Sequence, residues 1–258
     1  MGLLDGKTIL VTGVANRWSI ASGIARRMHA HGARLILTYQ GERVEKAVRQ
    51  HAAELGDAPV FECDVTKDEA LRELASRAGK IDGLVHSMAF TKKEDLSGKV
   101  YTTSRDGFSI AMEISAYSLI TLVGHLVENL NDGASVMAMT YLGSSQIVPN
   151  YNVQGIAKAA LESAVRYLAF DLGERGIRVN AISAGPISTA SSRQVAGFSA
   201  MPGKVAAVSP LRSNVTADDV GNVAVYLASD LSSKVTADVH FVDAGYHAMG
   251  MYPEAAQS

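Results

Sequence analysis

Residues 8–23, which read TILVTGVANRWSIASG, decide the fold class of this chain. Thr8–Val11 is a short β-branched run, and Gly13 follows it two residues later, as at the end of a buried strand that turns sharply. Ser19 is a good N-cap for a helix over residues 19–31. A strand, a glycine turn and a capped helix indicate the first unit of an α/β protein.

Short apolar runs alternate with helical patterns along the rest of the chain. The runs predict strands over residues 8–11, 34–39, 60–63, 83–87, 135–139, 177–182 and 238–242. The helical patterns cover residues 19–31, 43–55, 67–78, 105–128, 152–172 and 217–228. Apolar strands separated by helices are typical of a parallel sheet covered on both faces, and right-handed crossovers favour a doubly wound order. We therefore expect an α/β fold with a doubly wound, Rossmann-like parallel sheet of about seven strands, in a single domain over residues 1–258.

Composition and charge argue against several classes of protein. The 258 residues include 24 Lys and Arg against 26 Asp and Glu, a net charge of −2, whereas nucleic acids and anionic membranes attract basic proteins. The single cysteine, Cys63, excludes an internal disulfide and a multi-cysteine metal site, and we expect no metal. The N-terminal residues do not match a signal peptide, and no run reaches the roughly 18 uninterrupted apolar residues of a membrane span. We expect a soluble, cytoplasmic protein with no nucleic-acid or membrane partner.

The turn after the first predicted strand is a candidate phosphate site. The N-terminus of a helix presents unpaired N–H groups and the positive end of its dipole, and both suit a pyrophosphate. The sequence is not G-x-G-x-x-G, so the turn alone leaves nucleotide binding and simple helix capping both open.

Polar residues at the ends of the next strands favour nucleotide binding, because ligands of doubly wound sheets bind beyond the carboxyl ends of the strands. Gln40 ends the second predicted strand, Asp64 the third and His86 with Ser87 the fourth. Gln40 stands where adenosine ribose hydroxyls are expected and favours a free 2′-hydroxyl, while Arg43 keeps a 2′-phosphate open.

Tyr151 and Lys158 form the strongest chemical signal. If both lie on the helix that follows the fifth strand, seven steps at 3.6 residues per turn return to nearly the same face, about 10 Å apart along the axis. The two side chains can then hold one ligand from the same side without touching each other.

Several further motifs carry a resemblance to a known family. They are Gly13 with Ser19-Ile20-Ala21, Thr38-Tyr39-Gln40, Cys63-Asp64-Val65, His86-Ser87, Tyr141-Leu142-Gly143, Pro149-Asn150-Tyr151-Asn152, Lys158-Ala159 and residues 178–187. Together they resemble the enoyl-acyl-carrier-protein reductases, the divergent branch of the short-chain dehydrogenase/reductase superfamily, and in particular the NADH-dependent bacterial type. The resemblance covers nearly the whole chain, from Gly6 to Gly245.

The spacing of tyrosine and lysine discriminates within that superfamily. Ordinary short-chain dehydrogenases place them four apart, but here Gly155 stands four after Tyr151 and Ser145 four after Tyr141. The serine expected about a dozen residues before the tyrosine is missing, because Ala138 and Met139 stand there. Reduction of a conjugated C=C bond is favoured over carbonyl reduction. A ketoreductase-type enzyme and a non-catalytic dinucleotide-binding protein are the alternatives.

The resemblance implies a reaction: hydride transfer from NADH (NADPH less readily) to the trans-2 double bond of enoyl thioesters on acyl carrier protein, the final reductive step of bacterial fatty-acid elongation. It implies that Tyr151 donates a hydrogen bond to the enolate oxygen, that Lys158 holds the nicotinamide ribose and that Tyr141 supports catalysis. The implied cofactor-binding residues are Gly13, Ser19, Ile20, Gln40, Asp64, Val65, Met88, Lys158, Ile187, Ser188, Thr189, Ala190 and Ser191. The implied substrate residues are Thr91, Tyr141 and Tyr151.

Two features of larger scale are also expected. Residues 188–204 are mostly small and polar without periodicity, and so long a connection is either a functional lid or a mobile surface loop. The resemblance implies a substrate lid. It also implies a homotetramer, for which the long helices predicted over residues 105–128 and 152–172 are candidate interfaces.

Overall fold

Seven parallel strands form one sheet in the computed structural model, which describes residues 2–189, 192, 195 and 197–251. The strands are β1 (Thr8–Val11), β2 (Arg34–Tyr39), β3 (Val60–Glu62), β4 (Ile81–His86), β5 (Leu130–Thr140), β6 (Arg178–Ala184) and β7 (Val239–Val242). Their order is β3-β2-β1-β4-β5-β6-β7, so the winding reverses between β1 and β4. Every neighbouring pair runs parallel. The predicted doubly wound α/β fold is confirmed.

Helices cover both faces of the sheet. They are α1 (Ile20–Ala30), α2 (Glu42–Ala53), α3 (Asp68–Ala78), α4 (Lys93–Leu96), α5 (Arg105–Met112), α6 (Ser118–Leu126), α7 (Asn152–Leu172), α8 (Met201–Val208) and α9 (Ala217–Ala228). Successive strand residues point to opposite faces. Ile9 and Val11 of β1 therefore join the core under α1, α2 and α9, whereas Leu10 joins the core under α3, α6 and α7.

Three predicted elements differ from the structure by more than two residues or in kind. The helix predicted over residues 105–128 is divided into α5 and α6 by a π-helical turn at Glu113–Tyr117, which leaves the apolar pattern nearly unchanged. β5 begins at Leu130 rather than at residue 135, because Leu130 pairs with Ile81 across a register shift in the sheet. The segment predicted to lack periodicity contains the start of α8, which has a proline in its first turn.

One helical stretch of the described residues, 105–126, is long and apolar enough to cross a membrane by length and composition alone. Core helices pass the same test. Leu119, Leu122 and Leu126 of this stretch are fully buried against the sheet and its neighbouring helices. The stretch therefore packs one apolar face against the core of the protein.

Helices α1 and α9 pack backbone against backbone. A Cβ atom placed on Gly23 of α1 would lie 2.5 Å from the Cβ of Ala217, and one placed on Gly221 of α9 would lie 2.6 Å from Cγ of Arg27. The glycines let the helices approach closely, and α1 is thereby held with its N-terminus at the end of β1.

The change Gly23→Ala tests this contact. Overpacking typically costs about 1–3 kcal/mol, so we expect a lower free energy of unfolding, measured by denaturant titration at fixed protein concentration. Gly124→Ala in α6 is the matched control, because nothing lies near its added Cβ and alanine is the better helix former by up to about 1 kcal/mol. Equal effects of the two changes would contradict close packing of α1 on α9.

Candidate active site

A cleft of about 270 Å³ opens at the carboxyl ends of β1, β4, β5 and β6, across the point where the winding reverses. Ten residues predicted to bind cofactor or substrate line it: Gly13, Ser19, Ile20, Met88, Thr91, Tyr141, Tyr151, Lys158, Ile187 and Thr189. Gln40, Asp64, Val65 and Ser188 lie outside its lining, and Ala190 and Ser191 lie outside the described residues. The topology thus brings residues far apart in the sequence into one concave site.

The turn between β1 and α1 is built for close approach. Gly13 has a φ of +76°, and a Cβ there would collide with the carbonyl group of Ser87 at the end of β4. Ser19 caps α1, since its Oγ accepts a hydrogen bond from the N–H of Ser22 at 3.2 Å. The other N–H groups of the first turn have no partner within the helix. They can stabilise an anion at the N-terminus of α1, which lies at the cleft.

The ends of β2 and β3 form a polar shelf beside that turn. Asp64 accepts hydrogen bonds from the Thr66 N–H at 3.1 Å and the Thr66 hydroxyl at 2.7 Å. Burial alone would raise the pKa of Asp64, but the bonds from Thr66, the charge of Lys67 and a bond from Gln40 outweigh it and lower this pKa. Gln40 and Asp64 therefore meet at this shelf, with the carboxylate charged at neutral pH.

Tyr151 stands at the N-cap of α7 rather than within the helix, so the assumption that both Tyr151 and Lys158 are helical holds only for the lysine. Its neighbours Asn150 and Asn152 have φ values of 64° and 37°, a region that asparagine tolerates better than most residues. The ring of Tyr151 packs edge-on against Tyr141 with centroids 4.9 Å apart. Burial, and to a smaller degree Tyr141, raises the pKa of Tyr151, so the phenol is neutral at physiological pH.

Two glycines explain why no lysine follows Tyr151 at the fourth position. A Cβ on Gly155 would lie 2.5 Å from the carbonyl oxygen of Gly143, and a Cβ on Gly143 would collide with the ring of Tyr151. The start of α7, the loop after β5 and the tyrosine ring are therefore packed without room for a side chain at either glycine. A lysine at position 155 is sterically excluded in this arrangement.

Lys158 is buried and held by the backbone of β5. Its side chain is 4% exposed, and its Nζ donates a hydrogen bond of 2.6 Å to the carbonyl oxygen of Met139. Burial lowers the pKa of Lys158 to about 8, although the charge of Glu162 opposes this shift. The amino group is thus still mostly protonated at neutral pH.

His86 lies at the end of β4 near this cation. Burial, followed by the charge of Lys158, lowers the pKa of His86 to about 3. Its Nε2 lies 2.7 Å from the hydroxyl of Ser118, which follows the π-helical turn. The imidazole is therefore neutral, and Lys158 carries the positive charge of this pair.

The segment after β6 closes one side of the cleft. Its described lining residues are Ile187, Thr189, Ser192, Val195, Phe198 and Met201. The hydroxyl of Tyr141 lies 3.5 Å from the sulfur of Met201, the first residue of α8. Phe198 is 7% exposed and anchors the segment in the protein.

Comparison with known proteins identifies the family. The family model described as enoyl-(acyl carrier protein) reductase matches residues 13–247. The chain belongs to this family.

Relatives and solved structures of this family match along nearly the whole chain. The enoyl-[acyl-carrier-protein] reductase [NADH] FabI of Bacillus cereus is 47% identical over 256 residues, covering 97% of this chain and 100% of that protein. The crystal structure of the NADH enzyme from Aquifex aeolicus is 45% identical, with a TM-score of 0.94 and coverage of 97% of this chain and 100% of that one. A Bacillus cereus structure with NADP+ and indole naphthyridinone has a TM-score of 0.94 at 47% identity, with the same coverage of 97% and 100%.

One residue of this reductase cleft was missed by the sequence-based predictions. Gln154 is 5% exposed and lines the cleft between Tyr151 and Lys158 on the same side of α7. It stands three residues after the N-cap tyrosine and four before the lysine, a spacing that places Gln154 and Lys158 on one face of α7. That spacing is the signal that could have revealed it.

The buried Lys158 gives this reductase a predicted pH dependence of stability. The folded chain holds the proton with a pKa of about 8 and the unfolded chain with one near 10.5, so between these values the unfolded chain binds more protons. The free energy of unfolding should therefore rise as pH increases from 8 to 10.5. When pH is lowered again to 8, this increase should be lost. Relative to Lys158→Met, the wild type should gain about 2 kcal/mol between pH 8 and pH 10.

Denaturant titrations of both proteins at matched concentration measure this gain. The methionine variant has no titrating group at this position and serves as the reference at each pH. Parallel pH curves for the two proteins would show that burial does not perturb Lys158.

Proposed function

We propose that this chain reduces the trans-2 double bond of enoyl thioesters on acyl carrier protein with NADH, the final reductive step of bacterial fatty-acid elongation. The observation that carries the proposal is the placement of Tyr151 and Lys158 in one cleft with glycine at the fourth position after the tyrosine. A phenol without an adjacent ammonium stays a hydrogen-bond donor, which suits enolate stabilisation better than proton transfer to a ketone.

The residues present fit a dinucleotide. Gly13, Ser19 and Ile20 surround the N-terminus of α1, where absence of a Cβ on Gly13 permits close approach of a pyrophosphate. Gln40 and the Asp64–Val65 shelf fit the adenosine end, beyond the cleft itself. Lys158, Met88, Ile187, Ser188 and Thr189 fit the nicotinamide end, and Ala190 and Ser191 continue that segment. When bound, NADH would supply the hydride that adds to the β-carbon of the enoyl group, leaving NAD+, and the enolate would then take up one proton at its α-carbon to give the saturated thioester.

NADH fits the shelf better than NADPH. Gln40 is a neutral amide, and Glu62, which accepts a hydrogen bond from the N–H of Gly41 at 3.3 Å, adds negative charge near it. A 2′-phosphate placed between Glu62 and Asp64 would be repelled. Two cations work in the opposite direction: Arg43 in α2, and Lys67, whose Nζ lies 3.6 Å from Asp64.

The protein's part in the chemistry is electrostatic. The hydroxyl of Tyr151 donates a hydrogen bond to the thioester oxygen, where negative charge develops as the β-carbon is reduced. Tyr141 packs against the Tyr151 ring and limits its motion. Lys158 orients the nicotinamide ribose, and Thr91 borders the acyl group.

The change Tyr151→Phe tests the role of the hydroxyl. We expect kcat/KM for crotonyl thioester to fall by about 100-fold or more, because one oxyanion donor is lost. NADH affinity, measured by energy transfer from Trp18, which is the only tryptophan and precedes Ser19, should be unchanged. Lys158→Met should instead weaken NADH binding.

Full turnover of carrier-linked enoyl substrates by Tyr151→Phe would contradict the oxyanion role. Reduction of acetoacetyl thioester by the wild type at a rate comparable to that of crotonyl thioester would favour a ketoreductase.

We also propose a cytoplasmic homotetramer in which each chain acts as a single domain with residues 188–204 as a substrate lid. Exposed apolar side chains on the two long helical stretches support the assembly: Phe108, Tyr117, Ile120, Ile156, Tyr167 and Phe170. Contiguous exposed apolar surface is typical of association sites. The lining residues from Ile187 to Met201 support the lid.

The change Phe170→Glu tests the assembly, since this side chain is 83% exposed on α7. Light scattering of the wild type should give four times the 27.3 kDa mass of one chain, and the variant should give a smaller assembly. Tyr101→Glu is the control, because Tyr101 is equally exposed at 83% but lies outside both helical stretches. A wild-type mass of one chain would contradict the assembly.

A further inference from the structure

A small polar network is embedded in the wall of the cleft. The hydroxyl of Thr91, in the loop after β4, donates a hydrogen bond to Oε1 of Gln154 on α7. The Gln154 amide donates to Ser115 at 3.1 Å, and Ser115 donates to the carbonyl oxygen of Phe90 at 3.2 Å and accepts from its N–H at 3.1 Å. Three separate elements are thus joined at one point of the wall.

The network lies partly in the lining of the cleft and partly behind it. Thr91 and Gln154 are 6% and 5% exposed and line the cleft, whereas Ser115 is fully buried behind them. The cleft lining also contains apolar side chains, among them Leu96, Val148, Val195, Phe198 and Met201. Ser115 belongs to the π-helical turn Glu113–Tyr117, a kind of helix irregularity that occurs often at functional sites.

The network makes this part of the wall stiff. An apolar group that pushes into it must separate Thr91 from Gln154 and leave buried polar atoms without partners, which is costly. An apolar wall of the same volume, such as methionine and alanine would form, can instead yield to the shape of a ligand. Because Gln154 lies between Tyr151 and Lys158 on α7, the stiff wall stands beside the place where the reacting double bond is expected.

We propose that Thr91 and Gln154 are specificity-determining residues that exclude bulky apolar substituents next to the reacting double bond. The inference rests on the proposed function, which it deepens by defining the substrate class as unbranched enoyl thioesters. Ser115 acts as a positioning residue, because it holds the Gln154 amide without reaching the cleft.

The test compares two N-acetylcysteamine thioesters, crotonyl and trans-4-methyl-2-pentenoyl, which differ by branching next to the double bond. The measured quantity is the ratio of kcat/KM for the branched substrate to kcat/KM for crotonyl. The double variant Thr91→Ala with Gln154→Met should raise this ratio at least tenfold over the wild type, a size typical of changes in methylene-sized contacts. Energy transfer from Trp18 to NADH checks that each variant retains the cofactor end of the cleft.

Two further variants make the test decisive. Thr91→Val removes the hydroxyl at nearly constant volume and should raise the ratio at least threefold, so it decides the question if the double variant does not fold. Ser135→Ala breaks a buried hydrogen bond to the carbonyl oxygen of Leu227 away from the cleft and should leave the ratio unchanged.

The outcomes separate this inference from the proposed function. If the wild type turns over crotonyl thioester but the ratio of kcat/KM values is unchanged in the folded variants of Thr91 and Gln154, the specificity role of these residues is wrong. The proposed function then stands. An equal rise in Ser135→Ala would also overturn it, because general loosening would then explain the effect. Absence of turnover of both thioesters by the wild type would overturn the proposed function and the wall together.

Discussion

The hydrogen bond from the Lys158 amino group to the carbonyl oxygen of Met139 is the contact around which the cleft is arranged. A buried cation is costly unless it is hydrogen-bonded. This bond therefore fixes both the rotation of α7 about its axis and its position relative to the end of β5. Tyr151 stands at the N-terminus of the same helix and is thereby placed over the cleft. The same rotation turns Gln154 toward the loop after β4, where Thr91 and Ser115 meet it.

Close approach of backbone segments is the second constraint, and it determines the chemistry. Gly143 and Gly155 let the loop after β5 and the start of α7 touch, so the position that holds lysine in ordinary short-chain dehydrogenases has no space for one. The cation is moved one turn further along the helix. The phenol is therefore separated from the ammonium, and in the proposed function the two groups act on different parts of the bound ligands.

The sheet could be predicted because its signals are local. Apolar runs such as Thr8–Val11 and Arg34–Tyr39 bury both faces, and their bounds match the structure residue for residue. The π-helical turn at Glu113–Tyr117 was missed because one extra residue in a turn scarcely disturbs a periodicity that is already broad. The early start of β5 was missed because Asn131, Asp132 and Gly133 are typical turn residues, and only pairing of Leu130 with Ile81 makes the segment a strand.

The candidate site divides in the same way. Tyr151, Lys158 and Gly13 carry signals in spacing or in position after a strand, and all three line the cleft. The partnership of Thr91, Ser115 and Gln154 has no such signal, because it depends on how a loop, an irregular helix and a regular helix meet in space. Within the described residues, Gln40, Asp64 and Val65 lie on a shelf beyond the cleft lining, as expected if one elongated ligand spans both regions.

The pKa values of the titratable groups in the cleft are shifted in directions that suit a hydrogen-bonding role for Tyr151 better than an acid–base role. Burial raises the pKa of Tyr151, which makes the phenol a weaker acid but keeps its donor available at every physiological pH. Burial lowers the pKa of His86 to about 3, so no second cation competes with Lys158 for the same space. Among the described residues that line the cleft, the positive charge is carried by the Lys158 amino group, with a pKa of about 8. In the proposed function, Tyr151 is a neutral donor at the acyl end and Lys158 a cation at the cofactor end, and this arrangement would stabilise developing negative charge without proton transfer from the phenol.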